Sequence, residues 1–379
     1  MVDTAALSIP LSAPHLTGTE SNRLQTTPAD LWPEWVPAFE QALAQRVSSR
    51  FALATQSGTA ALELALRALG IGPGDTVICP ALTFAATANA IRSVGATPVF
   101  VGSESISWGL DPDALETALQ REQQRPRAIV VVDLYGMPAN WPALQAIADR
   151  YGLPLVADAA ESLGSALHGQ ACGTLGLLNA VSFNLNKVIT TYGGGALLTN
   201  APQLAAKARV VANQGRQTEP PFSVIESGGN YRMGPLSAGL GLDQLPLLSA
   251  RVQARRAIFE RYFAALGQWP GLTFQPERLG AFSNRWLTAV RIDPVQTGIT
   301  RDALIDRLRC EMVETRPVFM PLHRQPAFAG CNVYGSSETN RIANEGLCLP
   351  SGSALTDAQI ERVIASVRCA LAKNKRPES

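Results

Sequence analysis

Short apolar segments alternate with helical patterns between about residues 51 and 200. Most of these segments are followed by roughly ten residues with the periodicity of a helix. The strand-like segments are FALAT (51–55), TVICP (76–80), TPVFV (97–101), AIVVVDL (128–134) and LPLVADAA (153–160). Strands that are apolar on both faces and separated by helices are typical of a mostly parallel sheet covered by helices. The pattern therefore predicts an α/β fold.

The pattern changes after residue 200. The segments 204–215, 248–266 and 300–310 have helical periodicity, and 285–293 resembles a strand. A last helix is predicted over 355–374, with Thr356 as its N-cap. We therefore predict three parts. They are an extended N-terminal arm (1–30), a large α/β domain (31–245) and a smaller C-terminal α+β domain (246–379).

Composition narrows the possible functions. The 379 residues are 46% hydrophobic and 17% charged, which suits a large buried core. Because 32 basic residues face 31 acidic ones, no overall field favours nucleic acid or an anionic membrane. Six dispersed cysteines and three histidines argue against a zinc cluster, so no metal site is predicted. The N-terminus lacks a basic signal region and no apolar run reaches ~18 residues, so we expect a cytoplasmic protein that binds neither nucleic acid nor membrane.

One lysine lies in an unusual setting. The segment SFNLNKVITTYGGGALLTN (182–200) places Lys187 between a strand-like run and three glycines. A nucleotide-binding loop is one interpretation, but a P-loop lysine follows its glycines and leads into a helix. The segment GIGPG (70–74) is too short for a dinucleotide fingerprint and follows a helix, not a strand. Both nucleotide-binding interpretations therefore fail on the order of their parts.

A covalent cofactor is the other interpretation. A pyridoxal phosphate site needs a lysine for the Schiff base, a carboxylate for the pyridine nitrogen, phosphate donors and an apolar contact for the ring. Asp158 ends a buried strand, where a protonated pyridine nitrogen would supply the cation that a buried carboxylate needs. Capping a helix is its structural alternative. A helix is predicted to begin at Ser57, and its free N–H groups suit a phosphate dianion. Ser57 or Thr59 as an ordinary N-cap is the structural alternative.

Four more residues have both a cofactor role and a structural alternative. Phe84 could stack on the cofactor ring or pack in the core. Ser182 could donate to the phosphate and Glu161 could approach the phenolic oxygen, or both could face solvent. Lys187 could be a surface lysine, but no acidic residue lies near it in the sequence to pair with. Burial beside a cationic ring would lower its pKa and make the neutral amine available for attack on a carbonyl.

Several segments together resemble a known family. They are SGTAALELALRALGIGPGDTVICPALTFAATANAI (57–91), VADAAESLG (156–164), SFNLNKVITTYGGGALLTN and GGNYRMGPLSAGLGLDQL (228–245). They are similar to the fold-type I, pyridoxal phosphate-dependent aminotransferases of the DegT/StrS type, which act on nucleotide-linked 4-keto-6-deoxy sugars. The resemblance runs from about residue 34 to the C-terminus. The segments NRWLT (284–288), ETRPVFMPLHRQPAF (314–328) and GLCLPSG (346–352) look like the branch that makes bacillosamine-type or perosamine-type sugars.

The resemblance implies a role for each candidate in the cofactor site. It makes Lys187 the catalytic lysine, which forms the Schiff base and shuttles the proton. It places Asp158 at the pyridine nitrogen, Glu161 at the phenolic oxygen and Phe84 on the ring. The residues that it implies at the phosphate are Ser57, Gly58, Thr59 and Ser182.

The resemblance also implies a homodimer with composite active sites. Asn230 would reach the phosphate bound to the other subunit, and Arg232 the diphosphate of its sugar nucleotide. The other substrate-binding residues that it implies are Asn186, Tyr231, Arg316 and His323. L-Glutamate would be the amino donor, and the product would be a 4-amino-4,6-dideoxy sugar nucleotide for surface glycan.

Two features bear on how far the resemblance extends. Relatives have a SNxIAPxG-like stretch before the first helix, whereas this chain has LQTTPADLWPEW (25–36), so the resemblance does not fix the sugar or the nucleotide. Related dehydratases have a histidine in place of Lys187, which argues against their chemistry. A pyridoxal phosphate lyase of the same fold and an idle member that only binds a sugar nucleotide are the alternatives to a transaminase.

Overall fold

A computed structural model of the chain describes residues 8–20, 22–217, 219–220 and 223–372. Residues 1–7 and 21 of the predicted arm lie outside the described residues, as do residues 373–379 with the last two residues of the predicted C-terminal helix.

The strands are β1 (Phe51–Thr55), β2 (Thr76–Pro80), β3 (Thr97–Val101), β4 (Ala128–Val132), β5 (Leu155–Asp158), β6 (Ala166–Leu167), β7 (Gln170–Ala171), β8 (Leu178–Ser182), β9 (Gly195–Thr199), β10 (Leu272–Phe274), β11 (Ala281–Phe282), β12 (Thr288–Ile292), β13 (Arg316–Pro317), β14 (Val333–Tyr334) and β15 (Gly346–Leu349). The α-helices are α1 (Asn22–Thr26), α2 (Trp35–Val47), α3 (Gly58–Ala68), α4 (Ala86–Ser93), α5 (Pro112–Arg121), α6 (Trp141–Tyr151), α7 (Pro202–Ala212), α8 (Pro235–Gln244), α9 (Leu248–Leu266), α10 (Pro294–Thr297), α11 (Arg301–Cys310), α12 (Ser336–Glu345) and α13 (Asp357–Ala372).

The larger sheet carries the predicted α/β fold. In the described part of the chain its strands lie in the order β1-β9-β8-β5-β4-β2-β3-β14. The strands from β8 to β14 are parallel, whereas β9 runs antiparallel to both of its neighbours. The five predicted strands are all present, so the prediction of a mostly parallel sheet is confirmed.

Helices cover the sheet on both faces because successive strand residues point to opposite sides. Along β4, Val130 packs in one core with α3, α4 and α7, while Ile129 and Val131 pack in another with α5 and α6. All five residues of β4 are buried. This two-sided burial explains why the strand segments are apolar throughout instead of alternating with polar residues.

A second, antiparallel sheet follows later in the chain, with the order β10-β12-β15-β13. It shares a core with α9, α11 and α13, which confirms the smaller α+β part of the predicted fold. Thr356 caps α13, since its hydroxyl accepts the Gln359 N–H at 3.3 Å while Gln359 Oε1 accepts the Thr356 N–H at 2.9 Å. The domain boundary at residue 245 stays a prediction. Helix α9 begins near it at Leu248, but β14 returns to the larger sheet.

The described part of the N-terminal arm lies against elements from the other end of the chain. Ile9 forms a parallel bridge with Val313, and both residues are buried. The Leu11 carbonyl accepts the Ser351 N–H at 2.8 Å. The Leu11 N–H donates to Glu314 Oε2 at 3.0 Å. These contacts bring the arm to the edge of the site described below.

Two kinds of feature are absent from the described residues. No helix there has both the length and the apolar character needed to cross a bilayer. No group of three or more His, Cys, Asp and Glu side chains there could hold a metal ion.

Candidate active site

The candidate residues converge where the strands of the larger sheet end. Asp158 and Ser182 are the last residues of the parallel strands β5 and β8. Strand β9 runs in the opposite direction, so it begins at the edge where β8 and β1 end. Its first residue, Gly195, pairs there with both Ser182 and Thr55. Ligands of open α/β sheets bind at this carboxyl edge.

A pocket of about 330 Å³ opens at this edge. Ten of the predicted site residues line it, namely Ser57, Gly58, Thr59, Phe84, Asp158, Glu161, Ser182, Asn186, Lys187 and Arg316. The four predicted residues that do not line it are Asn230, Tyr231, Arg232 and His323.

Lys187 is the central cation of the pocket. Its side chain is only 14% exposed, and its Nζ lies 3.9 Å from Glu161 Oε1. The same Nζ lies 4.0 Å from the ring centroid of Trp286. The expectation that Lys187 has no acid to pair with is therefore wrong, because the turn after β5 carries Glu161 across to it. Burial lowers the pKa of Lys187, and Arg255 lowers it further, while Glu161 and Asp158 oppose the shift.

Asp158 is a buried carboxylate that two donors orient. Its Oδ2 accepts the Thr87 hydroxyl at 2.7 Å, and its Oδ1 accepts the Ala160 N–H at 3.2 Å. Residues 160–164 form turns and not an α-helix, so Asp158 is not a helix cap. Burial raises its pKa against these hydrogen bonds and against the charge of Lys187. Among the described residues, no cation lies within 4 Å of it.

Glu161 is buried too, which excludes the alternative that it faces solvent. Its Oε2 accepts the Tyr135 backbone N–H at 2.7 Å. Tyr135 has a left-handed backbone, with φ of 57°, and its hydroxyl accepts the Phe319 N–H at 2.9 Å. Burial raises the pKa of Glu161 to about 7, although Lys187 and the Tyr135 N–H pull it down.

The start of α3 forms another part of the pocket wall. Ser57 is its N-cap, since its Oγ accepts the Ala60 N–H at 3.0 Å, so the structural alternative holds for Ser57 even though it lines the pocket. Gly58 and Thr59 belong to the first helical turn, where N–H groups have no intrahelical acceptor. A Cβ on Gly58 would lie 2.9 Å from the Cβ of Ser182, so only glycine allows this approach of α3 to β8. Ser182 is buried and does not face solvent.

Phe84 lies at the mouth of the pocket. The residue is 59% exposed, so it is not the core aromatic of the alternative interpretation. Its ring is tilted against that of Phe319, with centroids 5.8 Å apart. The Phe319 ring in turn stacks on Tyr135 at 5.3 Å. Three aromatic rings thus extend from the mouth to the buried wall.

The loop at residues 230–232 lies beside the pocket and not inside it. Asn230 and Arg232 are exposed and bridge to Asn213 and Thr55. The Tyr231 hydroxyl donates to Glu63 Oε1 at 2.5 Å, on α3. The predicted reach of this loop into the site of another subunit stays a prediction.

His323 lies outside the pocket, in a short 3₁₀ helix over Leu322–Arg324. Its Nδ1 is buried and has no hydrogen-bond partner among the described residues. Burial lowers the pKa of this imidazole, and Arg324 adds to the effect. Its predicted role in substrate binding stays a prediction.

The sequence interpretation missed several residues of the pocket wall. Tyr135, Trp286 and Cys348 line it, as does Leu11 from the arm. Trp286 and Cys348 occur in segments quoted above only as marks of a branch, and their position in those segments was a usable signal. For Leu11 and Tyr135 the sequence holds no signal, since both act through long-range packing and backbone atoms.

Comparison with known proteins identifies the family. The profile of the DegT/DnrJ/EryC1/StrS aminotransferase family matches residues 31–368. This chain belongs to that family. The aminotransferase is 41% identical over 365 residues to a Bacillus subtilis protein named "Putative pyridoxal phosphate-dependent aminotransferase EpsN", with 93% of each chain covered. It is 35% identical over 366 residues to GDP-perosamine synthase of Caulobacter vibrioides, with 95% of this chain and 97% of that protein covered.

A solved structure agrees with this assignment. The crystal structure of DesI in the presence of its TDP-sugar product matches with a TM-score of 0.89 and 31% identity. The match covers 97% of the aminotransferase and 94% of DesI. The aminotransferase is thus an enzyme that depends on pyridoxal phosphate, as predicted.

The described residues fit this cofactor. Lys187 is buried with a lowered pKa, as a nucleophilic amine requires. Asp158 is a buried carboxylate without a close cation, and a protonated pyridine nitrogen would supply one. The positive end of α3, with the close approach allowed by Gly58, suits a phosphate.

Glu161 makes the stability of the cofactor-free aminotransferase depend on pH. A carboxyl whose folded pKa is raised stabilises the fold below its unfolded pKa of 4.5 and loses this contribution as pH rises through about 7. We therefore expect the free energy of unfolding of the wild type to fall relative to Glu161→Gln over this window, by up to about 3 kcal/mol. Urea unfolding of both proteins at several pH values measures the difference. A difference that does not change with pH contradicts the assignment.

Proposed function

We propose that this aminotransferase transfers the amino group of L-glutamate to the C4 ketone of a nucleotide-linked 4-keto-6-deoxy sugar. The nucleotide is UDP or GDP, with the UDP-linked N-acetylated sugar and the GDP-linked mannose derivative as the leading substrates. The product is a 4-amino-4,6-dideoxy sugar nucleotide, used for surface polysaccharide or glycan. The reaction is proposed for the cytoplasm.

One observation carries the proposal. A buried lysine, a buried carboxylate and a helix N-terminus meet in one pocket at the carboxyl edge of the sheet. Two relatives that match almost the whole chain support the sugar part. One is named GDP-perosamine synthase, and the other was solved with a TDP-sugar product. Neither name covers the amino donor, which is taken from the family resemblance.

The residues of the pocket divide the chemistry between them. When bound, pyridoxal phosphate supplies an electron sink that accepts and returns the amino group. Lys187 would hold it covalently and carry the proton between cofactor and sugar. Asp158 would keep the pyridine nitrogen protonated, and Glu161 would lie at the phenolic oxygen. Ser57, Gly58, Thr59 and Ser182 would hold the phosphate, with Phe84 against the ring.

Two polar residues of the pocket are proposed to bind the sugar nucleotide. The Oδ1 of Asn186 is buried and accepts no hydrogen bond from the described residues, so it is available to a donor on the substrate. Arg316 is largely exposed, and its Nη2 donates to Glu314 Oε1 at 2.8 Å. An exposed guanidinium at a pocket suits an anionic diphosphate.

The products formed from a panel of substrates test the proposal. The purified enzyme is incubated with L-glutamate and UDP-, GDP- and dTDP-linked 4-keto-6-deoxy sugars, and the products are analysed by mass spectrometry. We expect a 4-amino sugar nucleotide from at least one of them, together with 2-oxoglutarate. Release of an amino acid fragment without any amino sugar would support a lyase instead. If no product forms and glutamate does not bleach the bound cofactor, the result would support an idle binding protein.

We further propose that two subunits complete each active site. The loop with Asn230, Tyr231 and Arg232 would enter the pocket of the second subunit, where Arg232 binds the diphosphate. In that arrangement a mixed dimer of Lys187→Ala and Arg232→Ala has one centre with both defects and one with neither. About half of the dimers are mixed, so activity should return to roughly a quarter of the wild type.

The mixing experiment needs one control. Subunit exchange is followed independently, for example by native mass spectrometry of one labelled variant. If exchange is complete and activity does not return, the loop serves its own chain and the composite site is rejected.

A further inference from the structure

We propose that Trp286 is an additional active-site residue of this aminotransferase, which holds the protonated side chain of Lys187 against the face of its ring. The inference rests on the proposed function only in taking Lys187 as the lysine that is released from the cofactor and carries a proton.

The geometry around Trp286 supports a fixed role. The residue is 3% exposed, and its ring centroid lies 4.0 Å from Lys187 Nζ. This is well within the distance at which an ammonium group is attracted to an aromatic face. Tryptophan has the most favourable ring for this interaction.

Contacts on several sides hold the ring in place. The indole Nε1–H donates to the Asn186 carbonyl at 2.8 Å, and the ring stacks on Tyr135 at 6.3 Å. The Trp286 backbone N–H donates to Asn284 Oδ1 at 2.8 Å, and its carbonyl accepts from Arg255 Nη1 at 2.5 Å. The ring is therefore held in one position when Lys187 moves, and Lys187 has one fixed place against its face.

The same contacts connect Trp286 to the other group that faces the lysine. The Asn284 side chain binds Trp286 through its oxygen and donates through its nitrogen to the Glu161 carbonyl at 2.9 Å. One amide thereby links the backbones of Glu161 and Trp286. Lys187 Nζ contacts both, at 3.9 Å and 4.0 Å.

The charges around Lys187 explain why it needs such a position. The groups that act on it are Glu161 and Asp158, which favour the protonated form, and Arg255, which disfavours it. Burial disfavours the protonated form most. A lysine that keeps its proton between two chemical steps needs interactions that offset the cost of burying its charge. The face of the Trp286 ring provides such an interaction, in addition to those with Glu161 and Asp158.

The indole N–H has a separate, positional effect. The Asn186 carbonyl belongs to the residue directly before Lys187, and it also accepts the Ser12 hydroxyl from the arm at 3.0 Å. Two donors from distant parts of the chain thus fix the backbone next to the lysine. Trp286→Phe removes one of these donors but keeps an aromatic face, whereas Trp286→Leu removes both functions.

The test measures the proton affinity of Lys187 directly. Full-length enzyme is loaded with pyridoxamine phosphate, a form in which Lys187 is free, and is treated with cyanate at a series of pH values. Mass spectrometry of the peptide that contains Lys187 gives the rate of its modification. The midpoint of the dependence of this rate on pH reports the pKa of Lys187. We expect the midpoint to fall by about one pH unit in Trp286→Leu and by less than about 0.3 unit in Trp286→Phe.

Two controls separate the effect of the ring face on Lys187 from a general effect of core packing. Trp108 is a buried tryptophan of the same core that does not line the pocket, so Trp108→Leu should leave the midpoint unchanged. Replacing all six tryptophans with fluorinated tryptophan weakens the attraction of the ring face for the ammonium group without changing the fold. The pH midpoint should therefore fall as fluorines are added. This second measurement applies even if Trp286→Leu does not fold.

The outcomes distinguish this inference from the proposed function. A midpoint that stays unchanged with fluorinated tryptophan overturns the role of Trp286, and so does an equal shift in Trp108→Leu. Borohydride reduction that places the cofactor on another lysine overturns the proposed role of Lys187 and, with it, the placing of Trp286 in the active site. The pH midpoint would still measure the contact between Lys187 and Trp286, so a failure of that contact and a failure of the lysine assignment are distinguishable.

Discussion

Replacing Lys187 with alanine is expected to reduce amine transfer by more than about 10⁴-fold, because one side chain supplies both the covalent link and the proton transfer. Pyridoxal phosphate should still bind through the phosphate donors at α3. The chain has only four lysines, at positions 187, 207, 373 and 375, so the attachment site can be mapped without ambiguity. Borohydride reduction followed by peptide mapping should find the pyridoxyl group on the peptide with Lys187.

Lys207 provides the matched control. It lies in α7, away from the pocket, and Lys207→Ala should keep wild-type activity and the wild-type labelling pattern. A pyridoxyl group on any peptide other than that of Lys187 would reject the assignment. Substantial amine transfer by Lys187→Ala would reject it as well.

Changing Asp158 to asparagine is expected to slow the chemical step by about 10²- to 10³-fold while the cofactor stays bound. A neutral amide cannot keep the pyridine nitrogen protonated, although it can still accept the Thr87 hydroxyl. KM values should change little, because the effect falls on the reaction and not on substrate binding. Single-turnover absorbance of the bound cofactor after addition of glutamate measures the step.

Asp133 is the matched control for loss of a buried carboxylate. It follows β4, is fully buried and does not line the pocket, and it accepts hydrogen bonds from Trp141 and Ser162. Asp133→Asn should lower stability but leave the single-turnover rate within a few-fold. Near-normal rates in Asp158→Asn would mean that this aspartate is structural and that the site is misplaced.

The sequence predicted those parts of the site that depend on local pattern. Asp158 and Ser182 end apolar strands and Ser57 opens a helix, so the order of elements alone brought them to one edge of the sheet. Lys187 was recognisable from its glycine-rich surroundings. In each case the neighbouring residues in the chain carry the information.

What sequence reasoning missed depends on contacts between distant segments. Glu161 and Lys187 meet only because the turn after β5 folds towards the strand end, so the lysine seemed unpaired. Trp286 reaches the site from beyond α9, and Leu11 from the arm. Tyr135 binds Glu161 through a backbone N–H in a left-handed conformation, which no side-chain pattern announces.

The arm has a consequence for the order in which the site is completed during synthesis. Leu11 lies in the pocket wall, yet its hydrogen bond to Glu314 joins residues 303 positions apart, and Ser351 is later still. A ribosome makes the arm first and these acceptors and donors near the end of the chain. A nascent chain that has just completed α9 already holds Lys187, Asp158 and the start of α3. It still lacks β13, Cys348 and the anchors of Leu11, so the pocket closes only during the last stage of translation.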